Sequence, residues 1–524
     1  MNPTSLNSHK GEKMKLKHLI SLSALALMSV SFCTVNTASA NTLTSQEFQP
    51  VNHYQPKSGF MNDIQTIWKG SDGYIHLYYL ANDNYKHSGD GTEWRHVRTR
   101  DWEHFEDLGI AIPKFQNGYD AVASGSVVKN NSGFFKDLPK SALVAYFTSY
   151  TKTGQNQYAA YSLDDGKTYK PYSQNPVMTS ITATSNNRDP FVIYNTVTKK
   201  LNMYLAEGDK IGIYESSTGK SWEYIGADIL NKYTLGGTDL GLVECPNLKM
   251  MKDQITGQTK AVMFFSANGY LKGSTTGVYA QVGHLDSGVF VPEKQPERVD
   301  QGSDFYAANF YQDGDVVRSI AWSGNWDYID SGITDGTGRK SYHLGHFTTT
   351  RTLKLANGHI QASFENRNPT TNHVTYSSSS QTAPIAADNY HKVLLDEQRW
   401  SSQSVNYMFK GIDRPVNGHI RLFFDNHDSH VFLDYNADNG FYQVSRSSNL
   451  VSASDYKKAY IVQSGHIKPS ELSIYIISDK TSLEFAIGNQ TYTVEKYSTD
   501  EKTTFKVETS GQNTLVTQMA NLEH

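Results

Sequence analysis

The sequence predicts an all-β protein in which a five-bladed β-propeller is followed by a C-terminal β-sandwich. The first observation is composition, because 33 Tyr, 23 Phe and 39 Gly among 524 residues favour strands joined by many turns. The second is a repeat of five aromatic-rich, strand-like runs. The third is a set of alternating apolar and polar runs nearer the C-terminus. We expect the propeller over residues 46–355 and the sandwich over residues 366–520.

The repeat is the main reason to predict a propeller. Its five runs are evenly spaced and begin at Tyr74, Ala142, Leu201, Lys260 and Val316. A spacing of about 60 residues holds about four short strands, which is the size of one propeller blade. The segment before each run should then form the innermost strand of its blade and face the central channel. The alternative is an irregular β-rich fold with coincidental spacing.

The first 40 residues have the pattern of a secretory signal peptide. Four lysines lie between Lys10 and Lys17, the stretch from Leu19 to Phe32 is mostly apolar, and Ala38-Ser39-Ala40 fits a cleavage site. The apolar stretch is shorter than the roughly 18 residues that a membrane-spanning helix needs. The sequence therefore predicts that residues 1–40 are removed and that the protein is secreted.

Charge and cysteine content exclude several classes of protein. The net charge of −4 offers no basic patch for nucleic acid or for an anionic membrane surface. Removal of residues 1–40 would leave Cys245 as the one cysteine of the mature chain, which excludes an intramolecular disulfide. A chain of this length buries enough apolar surface for two domains without one. We expect a monomer that binds neither nucleic acid nor membranes.

Acidic residues recur in the segments predicted to face the channel. Asp63, Asp189, Glu244 and Asp304 precede the first, third, fourth and fifth runs, and Ser124-Gly125-Ser126 occupies the equivalent place in the second unit. Side chains at the same position of several blades would converge on one pocket at the mouth of the channel. The repeat therefore predicts a cluster of carboxylates.

Such a cluster has a restricted chemistry. Neighbouring carboxylates repel each other, so the pKa of at least one of them should rise. Two carboxyl groups about 5–5.5 Å apart suit a retaining glycosidase, in which one is the nucleophile and the other the general acid/base. The alternatives are a calcium site and salt-bridged structural acids. Calcium favours a dense run of Asp and Asn, and zinc favours His or Cys. Neither pattern surrounds these acids, so we expect no metal and no cofactor.

Three acidic motifs carry a resemblance to a known family. Met61-Asn62-Asp63, Arg188-Asp189-Pro190 and Glu244-Cys245-Pro246, in this order and spacing, resemble the motifs of glycoside hydrolase family 32, which contains invertases, inulinases and levanases. The resemblance covers nearly the whole mature chain and favours bacterial levan-degrading members. It implies that Asp63 is the nucleophile, Asp189 the transition-state stabiliser and Glu244 the general acid/base.

The resemblance also implies which residues bind the substrate, a fructan or fructo-oligosaccharide. Arg188 and Asp189 would hold the hydroxyls of a fructosyl unit, and Trp94 and Trp326 would offer flat apolar faces. For either tryptophan, packing in the core is the alternative. Cys245 is expected to be a small packing residue rather than a nucleophile. The candidate substrate-binding residues are Asn62, Trp94, Ser126, Arg188, Tyr306 and Trp326.

Two departures from the family pattern bear on the substrate. The first motif usually continues with Pro-Asn-Gly where this chain has Ile64-Gln65-Thr66, and Gln is common where this chain has Leu80. We expect both changes beside the fructosyl pocket, where they would weaken the hold on a small disaccharide. The resemblance thus implies a secreted, retaining hydrolase of β-fructofuranosidic bonds that favours levan over inulin and sucrose. A fructosyltransferase with the same acids and a non-catalytic glycan-binding propeller remain alternatives.

The C-terminal part of the chain predicts the sandwich. A polar stretch from Glu365 to Thr382 suits a linker. Alternating runs follow at His419, His430 and Glu471, and short strands at this spacing favour a β-sandwich. The run from Asp479 to Phe485 resembles the sandwich that follows the propeller in this family. Its expected role is structural support, with glycan binding as the alternative.

Overall fold

The computed structural model describes residues 50, 53–57, 59–82, 91–116, 118–152, 154–180, 186–235, 238–269, 276–326, 333–334, 340–341, 345–365, 376–381, 391–394, 405–412, 418–426, 429–448, 461–479, 481–496, 504–509 and 514–521. The predicted signal peptide, residues 1–40, lies outside these ranges. All the strands described below belong to one unit, Thr42–His524. Among the described residues, no helix has the length and apolar character needed to span a bilayer.

Five antiparallel sheets repeat along the described part of the chain up to residue 365, and each takes its main strands in sequence order. The first sheet contains β1 (Phe60–Lys69), β2 (Ile75–Asn82), β3 (Glu93–Thr99) and β4 (Phe105–Ile112). The second contains β5 (Gly125–Lys129), β6 (Leu143–Thr151), β7 (Gly154–Ser162) and β8 (Lys170–Pro171). The third contains β9 (Arg188–Asn195), β10 (Lys200–Ala206), β11 (Lys210–Ser216) and β12 (Glu223–Ile229).

A short hairpin, β13 (Thr234–Leu235) and β14 (Thr238–Asp239), leads into the fourth sheet. That sheet contains β15 (Val243–Lys252), β16 (Thr259–Ala267), β17 (Gly277–Asp286), β18 (Val289–Pro292) and β19 (Glu297–Arg298). The fifth contains β20 (Phe305–Asp313), β21 (Val316–Ser323), β24 (His346–Phe347), β25 (Arg351–Ala356) and β26 (His359–Phe364). A second hairpin, β22 (Ile333–Thr334) and β23 (Lys340–Ser341), lies between β21 and β24 in the chain.

The five sheets close into a ring and form the predicted five-bladed β-propeller. The first strands of successive sheets lie against one another in the cycle β1, β5, β9, β15, β20 and back to β1. Apolar clusters fill the junctions between neighbouring blades. The aromatic-rich runs form the second strand of each blade, and the segment before each run forms the innermost strand, as predicted. Every residue of β2 is buried because neighbouring blades cover both of its faces.

The segment before β1 joins the last blade to the first. Tyr54 O accepts a hydrogen bond from Phe347 N at 2.9 Å, and Gln55 Nε2 donates to Gly345 O at 2.8 Å. The Tyr54 ring lies against Phe347 of the fifth blade and Tyr79 of the first, with ring centroids 4.8 and 5.8 Å apart. This contact adds to the packing of β1 against β20, which closes the ring.

Two six-stranded antiparallel sheets of the described residues form the predicted β-sandwich. One sheet takes the order β27 (Tyr376–Gln381), β38 (Thr514–Asn521), β29 (Val405–Ile412), β34 (Ile474–Ser478), β35 (Ser482–Ile487) and β36 (Gln490–Glu495). The other takes the order β28 (His391–Leu394), β37 (Thr504–Thr509), β30 (His419–Asn426), β31 (Ser429–Asn436), β32 (Phe441–Ser448) and β33 (Ile461–His466). Short 3₁₀ turns occur at Asn130–Ser132 and Pro469–Glu471.

An apolar cluster that includes Leu422, Leu433 and Phe485 lies between the two sheets of the sandwich. Strand β31 alternates between buried and half-buried positions, as expected for a strand with one face on this core. The domain boundaries 46–355 and 366–520 stay a prediction, and the last strand of the fifth blade ends at Phe364.

Candidate active site

The innermost strands of blades one, three and four bring Asp63, Asp189 and Glu244 together. Each acid lies near the start of its strand. Cys245 Sγ, next to Glu244 in β15, lies 3.5 Å from Asp63 Oδ2 and 3.7 Å from Asp189 Oδ2. The Cys245 N–H donates to Asp189 Oδ2 at 3.0 Å. One residue of the fourth blade therefore contacts the carboxylates of the first and third blades.

The innermost strands are irregular where these residues lie. Asp189, Cys245 and Ala307 have φ angles of 62°, 49° and 46°, in the left-handed region that non-glycine residues rarely adopt. The pairing of β15 with β16 shifts register between Glu244 and Asn247. Irregularities of this kind re-aim side chains beside functional sites. Here they occur in three of the strands that meet at the channel mouth.

Asp63 is half-buried and accepts hydrogen bonds from Asn62 and Ser124 in addition to the contact with the Cys245 thiol. Asn62 Nδ2 donates to its Oδ1 at 2.9 Å, and Ser124 Oγ donates to its Oδ2 at 2.5 Å. Burial raises the pKa of Asp63, and the charge of Glu244 raises it further, while the two donors oppose this rise without cancelling it. Asn62 Oδ1 has no partner among the described residues, so it is able to accept a hydrogen bond from a ligand.

Asp189 is buried more deeply, at 5% exposure. Its N–H donates to Thr148 Oγ1 at 2.9 Å, which fixes its left-handed backbone to the second blade. Burial raises the pKa of Asp189 to about 7; the neighbouring Arg188 guanidinium opposes this rise, and the charges of Glu244 and Asp63 add to it. The raised pKa values of Asp63 and Asp189 agree with the expectation for a carboxylate cluster.

Glu244 lies between a cation and a phenol. Arg188 Nε and Nη2 both donate to Glu244 Oε1, at 3.1 and 3.0 Å. The Tyr306 hydroxyl donates to Glu244 Oε2. Burial, together with the charge of Glu244, raises the pKa of Tyr306, which keeps this phenol protonated as a donor. Both oxygens of Glu244 therefore have a fixed partner.

Trp94 and Ser126 do not have the substrate-binding positions that were predicted for them. Trp94 is fully buried in the apolar cluster between blades one and two, and its indole N–H donates to Ala123 O at 2.9 Å. The Ser126 hydroxyl donates to Pro190 O and accepts from Val192 N, both at 2.8 Å. We therefore correct both assignments: Trp94 packs in the core, and Ser126 joins blade two to blade three.

Trp326 keeps a position compatible with its predicted role. Its ring is half-buried and lies against Trp322 and Phe60, with ring centroids 4.7 and 6.5 Å apart. Asn62, Arg188 and Tyr306 also lie in or beside the carboxylate cluster through the contacts given above.

The residues that depart from the family pattern serve the packing of the blades. Gln65 is buried, and its Nε2 donates to Ser124 Oγ at 3.2 Å. Thr66 Oγ1 accepts from Val127 N of the second blade at 2.7 Å. Leu80 lies at 2% exposure in the apolar cluster between the first two blades. The expectation that Leu80 replaces a hydrogen-bonding group on the pocket wall was therefore wrong.

Three residues of the site were not predicted, namely Ser124, Thr148 and Tyr150. Tyr150 is 42% exposed at the end of β6. Local burial of its hydroxyl raises its pKa, and the charges of Arg188 and Asp189 act on the same hydroxyl. A signal was present in the sequence, because antiparallel pairing places the end of each second strand beside the start of each first strand. The last residues of each aromatic run should therefore lie at the channel mouth.

In the described part of the chain, no group of three or more His, Cys, Asp or Glu side chains is arranged to hold a metal ion. The acids of the site are instead paired with side-chain donors, a guanidinium and a phenol. Carboxylates in this setting are able to act as a nucleophile and as a general acid/base.

Carboxylates that meet at the channel mouth of a five-bladed propeller are compatible with the acid-based chemistry of a glycoside hydrolase. Comparison with known families makes the assignment specific. Residues 53–363 match the model of the glycosyl hydrolases family 32 N-terminal domain, and the chain belongs to this family.

Relatives and solved structures agree with this assignment. The levanbiose-producing levanase of Bacillus subtilis is 30% identical over 466 residues, which cover 84% of each chain. The levanbiose-producing levanase of Geobacillus stearothermophilus is 38% identical over 272 residues, covering 50% of this chain and 65% of the relative. The β-fructofuranosidase of Schwanniomyces occidentalis, complexed with fructosyl-erythritol, shares the fold with a TM-score of 0.72 at 20% identity, covering 91% of this chain and 98% of that one.

Proposed function

We propose that this protein is a secreted, retaining hydrolase of β-fructofuranosidic bonds in fructans, with levan favoured over inulin and sucrose. The observation that carries the proposal is the meeting of Asp63, Asp189 and Glu244 at one end of the channel, with Arg188 and Tyr306 holding Glu244. The two levanase relatives support the choice of substrate. The sequence pattern of residues 1–40 supports secretion.

The reaction has two steps in this proposal. In the first, a carboxylate oxygen of Asp63 forms a bond to the anomeric carbon of the fructosyl unit. The glycosidic bond breaks at the same time, and Glu244 gives its proton to the departing oxygen. In the second, Glu244 takes a proton from a water molecule, whose oxygen replaces Asp63 at the anomeric carbon. The products are a sugar with a free reducing end, released from Asp63, and the shortened chain. Asp63 is then ionised again, and Glu244 carries a proton again.

The electrostatics of the site support this division of roles. The ionised form of Glu244 raises the pKa of Asp63, so a proton on Glu244 favours an ionised Asp63. The first step needs this arrangement, in which Glu244 carries the proton and Asp63 is ionised. Asp189, whose pKa is raised to about 7, has oxygens that can accept a hydrogen bond from a sugar hydroxyl in either charge state.

The preference for levan does not depend on Leu80, which packs between blades. It depends on the levanase relatives and on aromatic side chains near the acids. Tyr150 is 42% exposed and Trp326 is half-buried, so both present ring surface on which sugar units beyond the cleaved bond could stack. A polymer would use such surface, whereas sucrose has a single unit beyond its cleaved bond.

The test is to incubate the purified protein with levan, inulin and sucrose at one pH and to separate the products. We expect the highest kcat/KM on levan and release of sugars with free reducing ends. Sucrose as clearly the best substrate would make the protein an ordinary invertase. Longer oligosaccharides as the main product at high substrate concentration would make it a fructosyltransferase. Binding of these sugars without any product would make the protein a non-catalytic glycan-binding propeller.

A further inference from the structure

The fifth blade starts at a charged contact with the sandwich. Asp304, immediately before β20, is fully buried, and its Oδ2 accepts a hydrogen bond from Arg446 Nη1 of β32. Glu495 N of β36 donates to the same oxygen at 2.9 Å, and Ser303 Oγ does so at 2.7 Å. The Arg446 side chain is also fully buried in this ion pair.

The backbone before Asp304 is bonded to the sandwich as well. Gln301 N donates to Thr491 O at 2.7 Å, and Asp304 N donates to Thr493 O at 3.2 Å. Gly302 allows the two backbones to come this close, because a Cβ at this position would lie 2.1 Å from Thr493 O. The start of β20 is therefore held by β36 and by the Arg446 guanidinium together.

Two residues after Asp304, β20 reaches the catalytic acids. Tyr306 is 1% exposed, and its hydroxyl donates to Glu244 Oε2. Ala307 follows in a left-handed conformation, with its N–H bonded to Ser266 Oγ at 3.0 Å. A displacement of the start of β20 would move the Tyr306 hydroxyl relative to Glu244, because only Phe305 separates Tyr306 from the bonded segment.

We propose that Arg446 of the sandwich is a positioning residue for the catalytic acid/base, which it fixes through Asp304 and Tyr306. This inference rests on the proposed function, in which Glu244 is the acid/base. It gives the sandwich a role in the reaction in addition to structural support. The simpler alternative is that the ion pair of Arg446 and Asp304 only joins the two domains.

The two alternatives predict different kinetics. If Arg446 positions Tyr306, then its loss displaces the Tyr306 hydroxyl from Glu244 Oε2. The value of kcat should then fall because the proton donor is less well oriented, while KM should change little. A purely structural contact would change stability alone.

The experiment compares Arg446→Gln with Glu484→Gln. Glu484 is a matched control because it is a buried sandwich residue that pairs across the same interface, with Arg351 and His53. Among the described residues it forms no hydrogen bond or ion pair with Asp304 or Tyr306. We expect both variants to unfold at lower temperature. Only Arg446→Gln should lower kcat, by about 10- to 100-fold, with little change in KM.

A double-variant cycle with Tyr306→Phe tests the connection itself. If Arg446 acts through Tyr306, the effects of Arg446→Gln and Tyr306→Phe on kcat should be far from additive. Additive effects, or a wild-type kcat in Arg446→Gln, would overturn the inference. If Arg446→Gln does not fold, the same cycle is carried out with Arg446→Lys, which keeps the positive charge opposite Asp304. The proposed function fails separately, when Glu244→Gln keeps the kcat of the wild type.

Discussion

At the scale of single residues, the charge of Asp63 is set by opposing influences. Ser124 and Asn62 donate to its ionised form, while burial and the charge of Glu244 favour its neutral form and leave its pKa above the ordinary value. A nucleophilic carboxylate must be ionised, so activity should fall as the pH falls through this pKa. The acid limb of kcat/KM should therefore lie above about pH 4, the ordinary range of aspartate.

Ser124→Ala should displace this acid limb to still higher pH. The variant removes a donor to the ionised carboxylate, and such a bond is worth about 1.5–3 kcal/mol, or roughly one to two pH units. Ser126→Ala is the matched control, because its hydroxyl bonds only to backbone atoms of the third blade among the described residues. The control should lose about 1 kcal/mol of stability and keep the wild-type limb. An unmoved limb in Ser124→Ala would contradict the assigned contact.

Tyr150→Ala should raise KM for fructan more than it lowers kcat. The exposed ring lies near the acids at the end of β6, so its loss should cost about 1 kcal/mol of stacking, or roughly fivefold in KM. Tyr224→Ala is the control, since Tyr224 is 53% exposed on the outer strand of the third blade. Initial rates over a range of levan concentrations give both constants. Equal KM values for the two variants would remove Tyr150 from the binding surface.

Much of the site could be predicted residue by residue from the spacing of motifs. Asp63, Asp189 and Glu244 occupy equivalent positions of a repeat, which is visible in one sequence. The left-handed backbone of Asp189 and Cys245 is not visible there, because it depends on bonds to other blades, such as that from Asp189 N to Thr148 Oγ1. For the same reason the sequence pointed to Ser126 as a site residue, whereas Ser124 is the serine that contacts Asp63. Two serines two positions apart cannot be told apart in sequence.

At the scale of elements, the local sequence predicts the strands of each blade better than it predicts the contacts between blades. Each aromatic run becomes a second strand buried on both faces, a pattern that needs only local sequence. The closure between the last and first blades also uses Tyr54, which precedes the repeat and packs against Phe347 and Tyr79. No local pattern marks a tyrosine in that position.

Tyr54→Ala should weaken the closure and destabilise the protein by about 3 kcal/mol, the lower end of the cost of removing a packed aromatic ring. Tyr54→Phe keeps the ring and loses only the hydroxyl contact with Tyr79 Oη at 3.0 Å, so it should cost about 1 kcal/mol. Urea unfolding of the two variants and the wild type measures the difference. Equal midpoints for Tyr54→Ala and the wild type would show that the ring is closed elsewhere.

At the scale of the whole molecule, buried charges join the propeller to the sandwich. His53 bonds to Asp479 Oδ2 at 2.7 Å and to Glu484 Oε2 at 2.9 Å, and Arg351 Nη2 bonds to Glu484 Oε1 at 3.0 Å. Sequence analysis could not predict this interface, because its partners are far apart in the chain. The alternation in Leu483, Glu484 and Phe485 places Glu484 on the face away from the sandwich core, and the propeller covers that face.

This interface should make stability fall in alkaline solution. Burial by itself lowers the pKa of His53, but the hydrogen bonds and charges of Asp479 and Glu484 outweigh it and raise the pKa to about 9. A raised folded-state pKa adds stability that is fully present below pH 6.5, the ordinary pKa of histidine, and is lost as the pH rises through about 9. The loss should be on the order of 3 kcal/mol. Urea unfolding of the wild type and His53→Gln at pH 6 and pH 10 tests this, and equal pH dependence in both would contradict it.

We propose that Asp63 performs the nucleophilic attack in a fructan hydrolase. The most direct test compares the rates at which purified Asp63→Asn and the wild type release reducing sugar from levan. Equal thermal stability of the two proteins shows that the variant is folded. The variant keeps the shape of the side chain, but an amide cannot form the covalent fructosyl intermediate. We expect a folded protein without measurable turnover. Release of sugar at a rate near that of the wild type would contradict the assignment of Asp63 and the mechanism built on it.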